Sequence, residues 1–311
     1  MRAVGRGRHI DMRSPRGYYL DYSRCADPRG SVDVDGLPLS RGDRAAHHPG
    51  EVARYALGNL EIYLEGGNES RRDRFERGAR WLAESMEFVP GSFGGWAMPA
   101  PPRAFQGSLA SGWFSGAVQA ECVSVLVRAS LLLGVERAIE AAREAFPGFR
   151  TPAEEGGLLR EVGEGGHERA VESLALVEEY PMPERPSMAL SGHARAVWSI
   201  FDYWRATGDS EASSLLERCV EGTEFVLDRY DTGYWTRADL DSTWRGARLS
   251  SRGGIAEQAL ALETLRDMTG RRAFGEAAGR WRRHAASLRS RARASIQRLA
   301  FGRANPGAPA G

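Results

Sequence analysis

Four times along the chain an amphipathic helix runs into a glycine turn and a second helix follows. Val52–Leu64 places Ala53, Ala56, Leu57 and Leu60 on one face; Gly66-Gly67 breaks the run, and Arg71–Met86 resumes a helical period with Phe75, Ala79, Leu82 and Met86. Val118–Leu133 turns at Gly134 into Glu136–Phe146. Ala189–Ala206 turns at Thr207-Gly208-Asp209 into Glu211–Leu227, and Ile255–Met268 turns at Thr269-Gly270 into Ala273–Leu288. The turn glycines at 67, 134, 208 and 270 lie 67, 74 and 62 residues apart. That is too long for helical solenoid repeats of roughly 34–47 residues. The pattern predicts a mainly α fold in which helical hairpins, with short β-hairpins in the loops between them, close into an (α/α) toroid.

Between the hairpins lie segments that read as extended. Gly91–Phe105 is rich in glycine, proline and aromatics, Gly156–Met182 can hold a β-hairpin, and Tyr230–Trp244 is the third. Loops of this kind at one open end of a toroid are where function is expected. Before Gly50, the run Gly17–Tyr22 and the run Val32–Val34, with a turn at Asp35-Gly36, read as a short β-hairpin. The expected organisation is an arm and hairpin over residues 1–49, the toroid over 50–300, and a disordered tail over 301–311.

Composition removes several chemistries. All 42 basic residues are arginine, so a Schiff base, a lysine general base and a P-loop lysine are excluded. With 41 acidic residues the net charge is +1, which argues against a nucleic-acid partner. The absence of a continuous apolar run of about 18 residues leads to the expectation of no membrane span. The arginine-rich start, Met1–Arg16, lacks the apolar core of a signal peptide, and Cys25, Cys122 and Cys219 are too scattered for a disulfide frame. A cytoplasmic location is expected. Neither His47-His48 nor His167 has metal-site spacing, and Gly163-x-Gly165-Gly166 lacks the strand and helix context of a dinucleotide site. No metal and no cofactor are expected.

Several segments, taken in order, resemble the catalytic helical domain of the D-glucuronyl C5-epimerases. Val52–Glu61 resembles their "QYALGNYE" helix, and Ser111–Gln119 their "W-x-S-x-M-A-Q-G-Q" segment, continued by Ser124–Ala129. Glu178-Glu179-Tyr180-Pro181 matches "EEYP", while Leu190-Ser191-Gly192-His193 and Ile200–Tyr203 stand where "LNGF" and "GLYDY" occur. Tyr230–Leu240 is similar to "YDTGxWSRYDL". The resemblance runs from Gly17 to Trp281 and implies a carboxylated ligand and, by default, a homodimer. It also implies proton abstraction from a uronate by two tyrosines and an acid of EEYP. Here the "YDL" tyrosine position is Ala238, and the tyrosine that opens the family's "YEEYP" is Val177. The stretch matching the family's "YHxxHIxQL" is Arg248–Ile255, and no tyrosine or histidine occurs between Tyr234 and His284.

Acid–base candidates are therefore Glu178, Glu179, Tyr180 and His193. A carboxyl near the family's acidic position can take a proton, and an imidazole at the start of a cavity-lining helix can exchange one near neutral pH. Arg237 and Asp239 persist from "RYDL", and a guanidinium suits a carboxylate by two parallel hydrogen bonds. Tyr234, Trp113 and Trp96 are candidate stacking platforms; Gln119, Tyr55 and Asn59 line the cavity by analogy. Each has a plain alternative. The glutamates can be a solvated strand end, His193 a hydrogen-bonded core histidine, Arg237 a surface ion pair, and the lone aromatics core. The expected function is a diverged family member catalysing proton transfer (epimerisation, isomerisation, elimination or cyclisation) on a carboxylated metabolite of a specialised biosynthetic pathway. The rivals are a true uronate epimerase with substitute residues and a non-catalytic glycan- or metabolite-binding protein.

Overall fold

The computed structural model describes residues 5–40, 46–89, 92–109, 111–163 and 174–305. His167 and part of the Gly163–Gly166 stretch lie outside the described residues. The first hairpin is α1 (Pro49–Gly66) and α2 (Glu69–Glu84), followed by a two-residue strand pair, β1 (Glu87–Phe88) and β2 (Gly94–Gly95). The second is α3 (Gly116–Leu133) and α4 (Glu136–Ala145), followed by β3 (Leu159–Val162) and β4 (Leu174–Val177). Then come α5 (Leu190–Thr207) with α6 (Ser210–Tyr230), α7 (Arg252–Thr269) with α8 (Arg272–Ala286), and α9 (Leu288–Ala304).

The four turn glycines do what their type allows. Gly67, Gly134, Gly208 and Gly270 all sit just past a helix end with φ between 65° and 71°, the left-handed conformation that ends a helix at little steric expense. Side chains mark several starts: Asn68, Ser115, Asp209 and Ser251 each accept a hydrogen bond from a first-turn amide.

Helices α1, α3, α5 and α7 pack side by side in that order, and α2, α4, α6 and α8 each cover the inner helix of their own hairpin. No closed toroid is detected: among the described residues the inner helices form a row of four hairpins, and the N-terminal arm bridges its outer members. Arg6 pairs with Asp267 of α7 at 2.7 Å, while the Arg8 amide donates to Glu61 of α1 at 2.6 Å. The arm also packs on the inner helices: Tyr18, Tyr19 and Tyr22 are buried, and Tyr18 and Tyr19 pack on Trp198. Gly17–Tyr22 therefore pairs back on the arm, through an antiparallel bridge between Arg6 and Leu20, and not with Val32. Val32 bridges Pro38 around the Asp35-Gly36 turn. At the other end α9 continues through Ala304, so residues 301–304 are helical, with Phe301 packed on Trp244.

A charged residue stands at the sixth position of every inner helix: Arg54, Glu121, Arg195 and Glu257. They form one chain of ion pairs across the row. Arg54 Nε meets Glu121 Oε2 at 2.8 Å, Arg195 Nε meets Glu121 Oε1 at 3.0 Å, and Arg195 Nη2 meets Glu257 Oε1 at 2.5 Å. Two turns deeper, Arg128 and Asp202 pair at 2.6 Å with both side chains almost fully buried. Asp202 also accepts from Tyr19 and Ser124, and Arg128 donates to the Gly17 carbonyl. Helix α3 by itself is long and apolar enough to span a membrane, but 78% of it is buried at the centre of this row.

A buried pair of this kind is costly to break and often dispensable as a pair. Asp202→Leu, which strands the Arg128 guanidinium, is expected to lower stability in urea by about 3–5 kcal/mol. Adding Arg128→Met should recover most of that loss. A single variant that unfolds at the wild-type urea concentration would mean that the pair carries no such penalty.

Candidate functional site

The β3–β4 hairpin pairs Leu159 with Val177 and Val162 with Leu174. Its strand β4 lies against α6 at Gly222, where an added Cβ would come within 2.2 Å of the Ala175 carbonyl oxygen. The chain stays extended beyond β4: the Glu178 amide donates to the Leu158 carbonyl at 2.8 Å. Successive side chains of an extended chain point to opposite sides, and the two glutamates part here. Glu178 turns into the protein, where Oε2 accepts from Ser187 Oγ at 2.6 Å and the Met188 amide at 2.9 Å. Arg160 Nε stands 3.5 Å from its other oxygen. Glu179 turns the other way, into a cavity of about 140 Å³. Gly192 makes room for it, since a Cβ there would lie 2.5 Å from Glu179 Cβ and 2.6 Å from its Oε2.

The cavity is walled by Glu179 and Tyr180 from the strand end and Ser191 from the start of α5. Ala238, Arg248 and Ser250 come from the loop after α6, and Gly254 and Gln258 from α7. The loop is a short antiparallel ladder, with the Ala238 amide donating to the Arg248 carbonyl and the Ser250 amide to the Thr236 carbonyl. Alternation along it puts Ala238, Arg248 and Ser250 on the cavity face and Arg237 on the other. Gln258 braces the ladder, accepting from Thr236 and Ser250 and donating to the Arg237 carbonyl at 2.9 Å. Arg248 is buried and ion-paired with Asp239.

Burial in this enclosed space pushes the Glu179 carboxyl above its usual range, although Arg195, Tyr180 and Arg248 pull it back down. The neighbouring Glu179 charge, and then burial, push the Tyr180 hydroxyl far up, so it keeps its proton and can donate it in a hydrogen bond. Asp239 is also raised, by burial, against the pull of Arg248.

The remaining expected site residues are dispersed. Arg237 is exposed on the outer side of the ladder, so the arginine of the cavity is Arg248, which motif matching passed over. Counting alternate residues across the ladder from the Ala238 position was the signal that could have found it. Tyr234 packs on α9, hydrogen-bonded to Gln297 and covered by Arg293 at 3.9 Å. Trp113 sits beside Tyr180, ring centres 5.7 Å apart, in a small cluster with Phe105 and Met182. Trp96 is core, its Nε1 donating to the Leu82 carbonyl at 2.9 Å. Gln119 ties the Gly94 and Ala145 carbonyls together, and Asn59 ties those of Tyr55 and Ala26. Tyr55 faces a different cavity, beside the N-terminal arm.

His193 is buried away from Glu179. Its Nδ1 accepts from the Val177 amide at 2.9 Å, and its Nε2 stands 2.8 Å from Thr223 Oγ1. That hydroxyl donates onward to the Cys219 carbonyl at 2.7 Å, so Nε2 carries the proton. Both nitrogens are committed to joining β4, α5 and α6, which leaves neither to face a ligand. The expectation of proton exchange at His193 is replaced by a structural role.

Burial lowers the His193 imidazole from 6.5 to about 4. Between those values the unfolded chain holds a proton that the folded chain refuses. This contribution to stability is therefore complete above about pH 6.5 and is lost as pH falls towards 4, a change of order 3 kcal/mol. His193→Asn, which keeps an acceptor for the Val177 amide, should show a flatter pH dependence of urea stability through that window. Parallel curves for the two proteins would refute the assignment.

A profile described as "D-glucuronyl C5-epimerase C-terminus" matches residues 91–283, which include all the residues that wall the Glu179 cavity. An uncharacterized protein of Methanocaldococcus jannaschii is 30% identical over 136 residues. That match spans 42% of this chain and 41% of the relative's length. With the profile covering more than half of its residues, the chain belongs to the D-glucuronyl C5-epimerase C-terminal domain family.

Proposed function

We propose that the Glu179 cavity is a proton-transfer site for a small carboxylated metabolite. The observation that carries this reading is one space lined by both a carboxyl of raised proton affinity and a fixed guanidinium, Glu179 and Arg248. Taking a proton from carbon next to a carboxylate leaves an electron pair that moves onto the carboxylate oxygens. The Arg248 guanidinium, oriented by Asp239, stabilises that enediolate as its charge develops. Glu179 accepts the proton, and a carboxyl with raised affinity is a better match to this work near neutral pH than an ordinary one. Tyr180 donates a hydrogen bond to Glu179 and keeps the base oriented.

The volume corresponds to about five waters at ~30 Å³ each, which suits a small acid or the reacting end of a larger one. Glu179 is the carboxyl in this wall. A single base favours reactions that take and return a proton on one face, or that expel a neighbouring group, over inversion. Inversion at a uronate C5 is the second reading; it is supported by the family and by Tyr180, a phenol in the same wall.

The test is solvent deuterium incorporation, followed by NMR over a panel of small 2-hydroxy and unsaturated carboxylates and of uronates. Exchange next to the carboxylate is expected, and Glu179→Gln should reduce it by about 10²–10⁴-fold. Its rate should rise with pH through a limb lying above the usual carboxylate range. Arg248→Ala should raise KM strongly, while Arg237→Ala should leave exchange unchanged. Exchange at C5 with inversion selects the epimerase reading. Binding of panel members without exchange would overturn both and leave a binding protein.

A further inference from the structure

A second and larger cavity, about 530 Å³, lies between the N-terminal arm and the start of α1. It shares no wall residue with the Glu179 cavity. Much of its wall is apolar, including Leu39 and the half-buried Cys25, and its polar wall groups include Arg29, His48, Glu51 and Arg54.

Arg54 is a prepared anion contact. Its Nε is held by Glu121 Oε2 at 2.8 Å, and among the described residues that is its hydrogen bond. The Nη edge of a guanidinium fixed in this way is left for the cavity that Arg54 lines, with donors whose direction is already set. His48 adds a polar side chain to the wall. The nearby charges limit the anion. Glu51 in the wall and Glu121 behind Arg54 repel a second negative charge, so a monoanion fits better than a phosphate dianion.

We propose that this cavity binds a small monocarboxylate with an apolar body. The carboxylate lies on the Arg54 Nη edge and the body against the wall around Leu39. The assignment does not draw on the chemistry at Glu179 and stands or falls separately from it.

Cys25 is a built-in reporter, because it lines the cavity while Cys122 and Cys219 are buried in the core. Alkylation of Cys25 by iodoacetamide is followed by mass spectrometry on the intact folded chain, with mandelate as the probe. Protection follows 1 + [L]/Kd, so mandelate at nine times its Kd is expected to slow the reaction about tenfold. The neutral amide of mandelate should protect several-fold less, and phenyl phosphate less than mandelate. Arg54→Gln should abolish the difference between mandelate and its amide. Because Arg54 also supports Glu121, Leu39→Trp provides an independent variant: it fills the cavity from a wall outside the ion chain and should remove the mandelate dependence. Equal protection by acid and amide, stronger protection by phenyl phosphate, or no protection by millimolar mandelate in the wild-type protein would each overturn the proposal.

Discussion

Glu121 is the point on which the inner row turns. Its carboxylate is fully buried and accepts from Tyr22 at 2.5 Å, from Arg54 and from Arg195, so the arm, α1, α3 and α5 meet on two oxygen atoms. Arg195 carries the chain on to Glu257 of α7. Withdrawing such charges from water costs several kcal/mol per ion, and well-shaped apolar replacements often do as well. Its consequence here is registry. Charges at the sixth position can meet only if all four inner helices begin at the same level, which brings their first turns, and the loops before them, to one end of the protein. The Arg128–Asp202 pair repeats that constraint at the thirteenth position of α3 and α5. These two tiers hold the neighbouring inner helices at one level.

The same registry places the chemistry. β4 can run to the mouth of the cavity because Gly222 admits its backbone and His193 ties it to α5 and α6. Beyond β4 the alternation of an extended chain sends two adjacent glutamates to different fates, Glu178 into a hydrogen-bonded core position and Glu179 into open space. Gly192 is the complement on the helix side; any side chain there would collide with Glu179. The cavity depends on two close approaches that only glycine permits and on one buried imidazole that does not line it.

Much of this was legible from residues alone. The turn glycines at 67, 134, 208 and 270 mark the hairpins because a left-handed helix end is a local property of four or five residues. The Glu179-Tyr180 pair was legible because it belongs to a contiguous segment. What escaped was whatever depends on packing between distant segments. Arg237 looked like the carboxylate contact because it survives in a motif, yet the ladder pairing across eleven residues turns Arg248 inward in its place. His193 looked like an acid–base group because it begins a helix, but its partners, Val177 and Thr223, come from a strand and a helix that sequence does not place beside it. Nothing local in the pattern says that Tyr18, Tyr19 and Tyr22 of the arm are buried against the inner helices.

A chain whose every cation at neutral pH is an arginine has an unusual electrostatic character. Guanidinium groups hold their charge throughout the physiological range, so Arg54, Arg195 and Arg248 act as fixed positive points and cannot exchange protons. Response to pH then falls to the carboxyls and imidazoles set against them. Among these, Glu178, Glu179 and Asp239 are raised by burial around the ladder and strand end, while burial lowers His193. Three carboxyls of raised affinity lie within one short stretch of structure, faced by guanidiniums that cannot move their charge. Of the three, Glu178 is closed off by Ser187 and Met188, and Asp239 is bound to Arg248. Glu179 is left as the carboxyl where a raised proton affinity and an open space coincide.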